Sequence, residues 1–397
     1  MSSNSTVRDY ARVFKRPELP FYLIIWSVIA LSALGLTMVL SASSVKSLQD
    51  NGSTYSIFIK QFFFLILAGG CAYWAFKVKG AIWLTIARYA LLLSIIFLAM
   101  PLVPGLGKNV NGNLNWIEFA GFTLQPSEFA KLGLILWCAL HLKKSEAKSE
   151  NGFIKNPLIV VMPGALAVEL FVLGERDLGT GILIFAILGG IIFIAGAPLK
   201  IFGYSFVAVA GIVAALVITT PNRMHRFAAF LNPFDEQYYK FAGWQPAHSI
   251  MGLASGGLFG AGLGASKQKW ANLAEAHTDF IFAVIGEELG LLGTLVVLLL
   301  FAALIYGIFR VSLKTKDSFS RYATAGIACW FLVQVTVNIA SVTSLLPVIG
   351  VTLPFISYGG SSLIANFMAI GFVLGVARRT PEIAEGINAA RMRKLGR

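Results

Sequence analysis

Charge is scarce in this sequence: 13% of its 397 residues are Asp, Glu, Lys or Arg, where water-soluble domains carry about a quarter. With 57% hydrophobic residues and a mean hydropathy of +0.75, that scarcity excludes an ordinary soluble domain and points to a chain dissolved in a bilayer. Cysteine is scarcer still. Cys71, Cys138 and Cys329 fall inside apolar runs at spacings that suit neither a disulfide framework nor a metal site, which leaves them as small buried hydrophobes. No second histidine stands at ligand spacing from His277, so zinc chemistry has no support. A soluble catalytic domain, a short-period repeat and a low-complexity linker are all missing. So is a separable signal peptide, since Arg8, Arg12, Lys15 and Arg16 precede a long apolar run without a small-residue cleavage site.

What is present is a succession of long apolar runs. A spanning helix needs about 20 mostly apolar residues, and such runs lie near 21–42, 57–76, 84–104, 127–142, 155–173, 179–196, 199–219, 280–309, 322–345 and 360–377. The expected fold is therefore an all-α polytopic membrane protein of about ten transmembrane helices, with a long extracytoplasmic loop between the seventh and eighth. Residues 1–20 form a cytoplasmic segment, 21–377 the membrane domain and 378–397 a basic cytoplasmic tail. The net charge of +13 is a matter of topology. With the N-terminus inside, 21 Lys and Arg fall in inner segments, eight in outer ones and three within helices, a split that follows the positive-inside rule. It puts both termini, and Ser145, in the cytoplasm, with Gly112 and Tyr238 outside. Anionic headgroups are the natural partners of this charge; nucleic acid is not expected.

Two outer segments are too long for plain connectors. Residues 105–125 are rich in Gly and Asn. Residues 220–279 carry Asn232-Pro233-Phe234-Asp235, the aromatics Tyr238, Tyr239, Phe241 and Trp244, and glycines at 256, 257, 260, 262 and 264. The aromatic content predicts a folded loop lying partly in the interface. The glycines permit tight turns or close backbone approach. No Gly-Lys-Ser/Thr follows them, so they form no phosphate loop.

Ionisable residues at membrane depth are the next signal, because an isolated charge there costs about 2.5–3.5 kcal/mol on insertion scales. Glu128 and Lys131 stand three apart and share a helix face, as a structural ion pair or as part of a substrate site. Asp177 directly precedes an apolar run, where helix capping is the plainer reading. Glu287 and Glu288 lie about two turns into the eighth run, too deep for capping, and imply an Arg or Lys partner. Asp279 is the sharpest candidate. It stands where a polar outer loop enters a long helix, beside His277, and either caps that helix or offers a general base at the membrane surface.

In order along the chain, MVLSASS, NGNLNWI, QPSEFAK, DLGT, NPF, GGLFGAGLGASKQK, EAHTDFIFAVIGEELG and LLPVIGVTLPFISYGGSS together resemble the SEDS family (shape, elongation, division and sporulation), and its division branch more than its elongation branch. The resemblance covers nearly the whole chain. It implies a ten-helix fold in the bacterial cytoplasmic membrane, placed at the division septum. It further implies glycosyltransferase activity that polymerises lipid II, and a class B penicillin-binding protein among other division proteins as partners. The family's essential aspartate falls on Asp279 and its membrane-embedded pair on Glu128 and Lys131. Two positions depart from the pattern: Asn115 stands where an Arg often precedes Trp116-Ile117, and Ala274 where a Pro usually precedes Glu-Ala-His.

Glycosyl transfer needs a base for the acceptor hydroxyl and help for the departing pyrophosphate. Asp279 is placed for the first. Arg223, Arg226, Lys267, Lys269 or a divalent cation such as Mg or Mn are candidates for the second, with Trp116 and His277 as further substrate contacts. Two other classes compete. A transporter of the lipid-linked precursor would use Glu128 and Lys131 to line a path, but should carry inverted repeats. A non-catalytic division scaffold would leave the polar groups around Asp279 unexplained.

Overall fold

The computed structural model describes residues 16–110, 113–119, 122–149, 156–219, 221–270 and 273–394. Gly112, expected outside, lies beyond them, as do Lys155, Arg397 and the basic residues of 1–15 that were counted among the inner charges. Helices dominate. α1 (Leu19–Asn51), α2 (Ser56–Lys77) and α3 (Gly80–Ala99) lead to a small sheet, followed by α4 (Pro126–Ala147), α5 (Pro157–Gly174), α6 (Leu178–Ile194) and α7 (Leu199–Ile218). After three shorter helices come α11 (Ile281–Lys314), α12 (Ser318–Val342), α13 (Gly360–Arg379) and the terminal α14 (Pro381–Lys394). Among the described residues seven helices are long and apolar enough to cross a membrane. The shorter apolar α6 and α7, and the more polar 22-residue α4, bring the total to the ten expected. The chain is thus a multi-pass membrane protein.

The packing explains why α4 is the least apolar of the ten. It lies inside the bundle, against α3, α5 and α12, with Glu128 and Lys131 buried on it, so its polar groups meet protein rather than lipid. α12 is central, touching α4, α6 and α11, while α13 lies along α2 and α11 along α1. At the other extreme α7 has no buried side chain among those described.

α11 is longer than a membrane requires, and it is broken. Gly290 has φ +69 inside it, a conformation that costs little only without a Cβ. The 24 residues beyond the break rise about 36 Å, enough to cross the ~30 Å hydrocarbon core alone. Residues 281–289 therefore form a separate short helix at the face that the charge bias assigns to the outside, here called the outer face. Glu287 and Glu288, about two turns into α11 as expected, stand just before the break. Ser41, which donates to Glu288, agrees with that level, being about 33 Å along α1 from Leu19.

The outer loops are structured. The long one holds α8 (Pro221–Leu231), α9 (Glu236–Tyr239) and α10 (Trp244–Ser255), and its glycine segment then packs on α11 around the break. The first outer loop departs from the all-α expectation. It forms a three-stranded antiparallel sheet, β1 (Gly107–Val110), β2 (Asn113–Phe119) and β3 (Phe122–Leu124), in that order, with Lys108 opposite Trp116 and Glu118 opposite Thr123.

Between α12 and α13 the chain runs as an irregular strap, residues 344–359, in which Leu353, Phe355, Ile356 and Ser357 are buried. Non-helical backbone at this depth needs its polar groups satisfied by protein, and side-chain amides supply much of that. Gln61 Nε2 donates to Ser357 O (3.2 Å), Gln334 Nε2 to Thr352 O (2.9 Å) and Asn338 Nδ2 to Val351 O (2.6 Å).

Candidate functional site

Asp279 lies in the segment that descends from the long outer loop into α11, and its neighbours grip the backbone. The Tyr358 N–H donates to the carbonyl of His277 (2.9 Å), Ser357 Oγ to that of Thr278 (2.6 Å) and Asn338 Nδ2 to that of Asp279 (2.8 Å). Three successive carbonyls are thus held by the strap and α12. The carboxylate itself is lightly bonded. It meets Thr278 Oγ1, 2.9 Å from Oδ1, and its own backbone N–H, while Oδ2 lies toward Gly350. Capping does not account for it: the residue at the head of α11 is Phe280, and no side chain caps that end. Burial, then the nearby Glu275, raises the Asp279 carboxyl to about 7, the range suited to a base working near neutral pH.

His277 is buried, its ring against Tyr358. Burial, and then Lys46 of α1, pulls it down to about 4, so it is neutral at physiological pH and shapes the site rather than contributing charge.

Glu128 and Lys131 form the expected pair, 2.9 Å apart, with Lys131 1% exposed. The ammonium also donates to Gln334 Oε1 (2.9 Å) and sits 4.9 Å from the Trp330 ring centroid. Because Gln334 holds Thr352 and Asn338, one turn on, holds Val351 and Asp279, the ion pair and the Asp279 segment hang on one face of α12. Gln334, Asn338 and Ser357 are the residues that sequence reasoning missed. Their signal was two amides four apart within the apolar run FLVQVTVNIASV.

The other candidates are placed differently. Asp177 caps α6, accepting from Thr180 N (3.0 Å) and Thr180 Oγ1 (2.8 Å), and takes Asn115 Nδ2 at 2.7 Å. Asn115 therefore ties β2 to α6. Beside it the Glu175 carboxyl is fully buried and pushed up to about 8 by burial and by Asp177. Trp116 is half-buried on β2. Lys269, expected to meet phosphate, is buried and committed: its ammonium pairs with Glu288 (3.7 Å) and donates to Gly264 O. It is the cation that the two glutamates implied. Lys267 gives its backbone N–H to Glu287 (2.9 Å). Arg223 and Arg226 lie on α8, with side chains outside those described. A divalent cation finds no ready cage, for among the described residues no group of three or more His, Cys, Asp or Glu could hold a metal ion.

The family model described as cell cycle protein, named for FtsW, RodA and SpoVE, matches residues 22–382. The chain belongs to this family. Among its relatives the probable peptidoglycan glycosyltransferase FtsW of Coxiella burnetii is 40% identical over 364 residues, covering 90% of this chain and 96% of the relative. That of Mycobacterium tuberculosis is 38% identical, covering 96% of this chain and 72% of the relative. Stage V sporulation protein E of Bacillus subtilis is 35% identical, covering 90% and 97%. Solved structures agree on the fold of this FtsW/RodA/SpoVE member. One, described as structural coordination of polymerization and crosslinking by a peptidoglycan synthase complex, superposes with a TM-score of 0.72 at 26% identity, covering 90% of this chain and 97% of that one. Thermus thermophilus RodA does so at 0.65 and 27%, covering 90% and 96%.

Proposed function

We propose that this chain is a peptidoglycan glycosyltransferase of the division branch that polymerises lipid II at the outer face of the bacterial cytoplasmic membrane, with Asp279 as the general base. The observation that carries the assignment is the state of Asp279: a half-buried carboxylate, braced through its backbone, spared from capping and with few donors of its own. The relatives' names supply the reaction class. In the reaction Asp279 takes the proton of the acceptor sugar hydroxyl as that oxygen attacks the donor's anomeric carbon. The bond to pyrophosphate breaks and the electron pair leaves with the phosphate. A substrate anchored in the bilayer by its lipid brings its sugars to this level. Glu128 and Lys131, buried, support the substrate site through Gln334 and α12, and Trp116, Lys267, Arg223 and Arg226 are the remaining contacts proposed for sugar and pyrophosphate. A class B penicillin-binding protein that cross-links the new strand is the proposed partner, at the septum, with both termini of this chain in the cytoplasm as the charge split argues.

The test uses purified, correctly folded protein, alone and with such a partner, given lipid II. Asp279→Asn keeps the shape and would serve nearly as well as Asp in a cap, so loss of glycan polymer in this variant supports the base, and near-normal polymer ends the assignment. Since the base must be ionised and its carboxyl sits at about 7, the wild-type rate should fall as pH drops through that value.

A further inference from the structure

A base that takes a proton at every sugar addition must also discard it, and the contacts of Thr278 beside Asp279 bear on where that proton goes. Thr278 Oγ1 lies 2.9 Å from Asp279 Oδ1 and 2.9 Å from Glu275 Oε2, with the Glu275 carbonyl farther off at 3.2 Å. A hydroxyl has one proton to give and lone pairs to accept. Both short contacts are full two-centre hydrogen bonds when one carboxyl is protonated and donates to Oγ1 while Oγ1 donates to the other. Moving two protons, with no heavy atom displaced, exchanges the two arrangements.

We infer that Thr278 and Glu275 form a proton relay that empties Asp279 between additions. The inference rests on Asp279 being the base. In the first step the acceptor's O–H bond breaks as its oxygen bonds to carbon, and the proton goes to the Asp279 carboxylate. In the second, protonated Asp279 gives that proton to Thr278 Oγ1 while the hydroxyl's own proton passes to the Glu275 carboxylate. Glu275 is half-buried beside exposed Ala274 and releases the proton to water. The threonine is unchanged and Asp279 is ionised again.

The surroundings leave few other routes. His277, two residues before Asp279, is buried and faces Tyr358 and the charge of Lys46 from α1; burial and that charge disfavour its protonation. α12 contributes the neutral amide of Asn338, and the strap contributes Gly350. Glu275 also adds the negative charge that, after burial, holds the Asp279 carboxyl high, so a single residue both raises the base and takes its proton away.

Lipid II polymerisation by the full-length protein, measured as rate against pH in H2O and D2O, tests this. Thr278→Val preserves the branched shape and removes the hydroxyl. It should lower kcat by about a hundredfold, the low side of what an acid–base group contributes, with KM little changed. Thr278→Ser should restore most of the rate and its solvent isotope effect. Glu275→Gln should lower the plateau and move the acid limb to lower pH, because one cause of the raised carboxyl is gone. A normal rate in Thr278→Val, a Ser variant as slow as the Val variant, or a Glu275→Gln profile with an unmoved acid limb would each overturn the relay. Asp279→Asn in the same series separates the two ideas. If it is active, the base assignment fails; if it is dead while Thr278→Val is normal, the relay alone fails.

Discussion

Glu287 and Glu288 on one hand, and Asp279 on the other, are carboxylates in one short stretch of chain near one face of the membrane, and they are treated in opposite ways. The pair is saturated. Glu287 accepts from Ser266 Oγ (2.5 Å) and from the backbone N–H groups of Lys267 (2.9 Å) and Gln268 (3.4 Å). Glu288 accepts from Ser41 (2.7 Å) and Ser266 N (3.3 Å), and pairs with Lys269. Successive N–H groups that converge on an anion in this way stabilise the charge where it is. Around Asp279 the strap and α12 donors are spent on carbonyls, and the carboxylate has one shared hydroxyl and its own backbone N–H. Satisfied carboxylates hold a structure together; a carboxylate whose backbone is fixed and whose oxygens are underbonded is ready to take a proton.

The comparison breaks hardest at Glu288. Glu288→Ala strands the buried ammonium of Lys269 and should cost about 3–5 kcal/mol, read as lower thermal stability of the purified protein, whereas Asp279→Asn should melt near wild type. Equal melting points for the two variants would erase the distinction. Next comes the Glu128–Lys131 pair, which shares features of both groups. Neutralising one member leaves the other charge buried, so Glu128→Gln or Lys131→Met should each harm activity more than the double change, with a coupling of about 0.5–3 kcal/mol. A double variant that shows the full sum of the two losses would mean that the residues act separately. The smallest effect belongs to Lys108 and Glu118 on the sheet, 2.9 Å apart but each about half exposed. Water and salt screen that pair, and Lys108→Ala should change stability by less than about 1 kcal/mol in a melting experiment.

The membrane helices were legible because burial in lipid demands long apolar runs: 57–76 became Ser56–Lys77 and 360–377 became Gly360–Arg379. Even 127–142, the least apolar run, became Pro126–Ala147. The break at Gly290 was not legible, because a glycine inside an apolar run fits a straight helix as well as a kinked one. What the run did not announce is that Glu287 and Glu288, two turns in, stand directly before that break. The sheet left a trace in the Asn-Gly pair at 111–112 between alternating residues, a hairpin signal that a helical reading passes over. At the site, Asp279 and the Glu128–Lys131 pair stood out because charge is costly in a bilayer. Gln334, Asn338 and Ser357 did not, since neutral amides and hydroxyls are tolerated there, and only the course of the strap reveals which carbonyls they hold.

The three backbone braces on residues 277–279 have a consequence for how this protein can change over evolutionary time. None of them uses a side-chain atom of Asp279 itself. The proposed base and its scaffold are therefore separable in one substitution, and on that proposal a lineage that lost the carboxylate would inherit an inert copy with the same surfaces. Such copies could persist as competitors or as placeholders for the active form, and they would be recognised by an intact strap and paired amides around an altered residue 279.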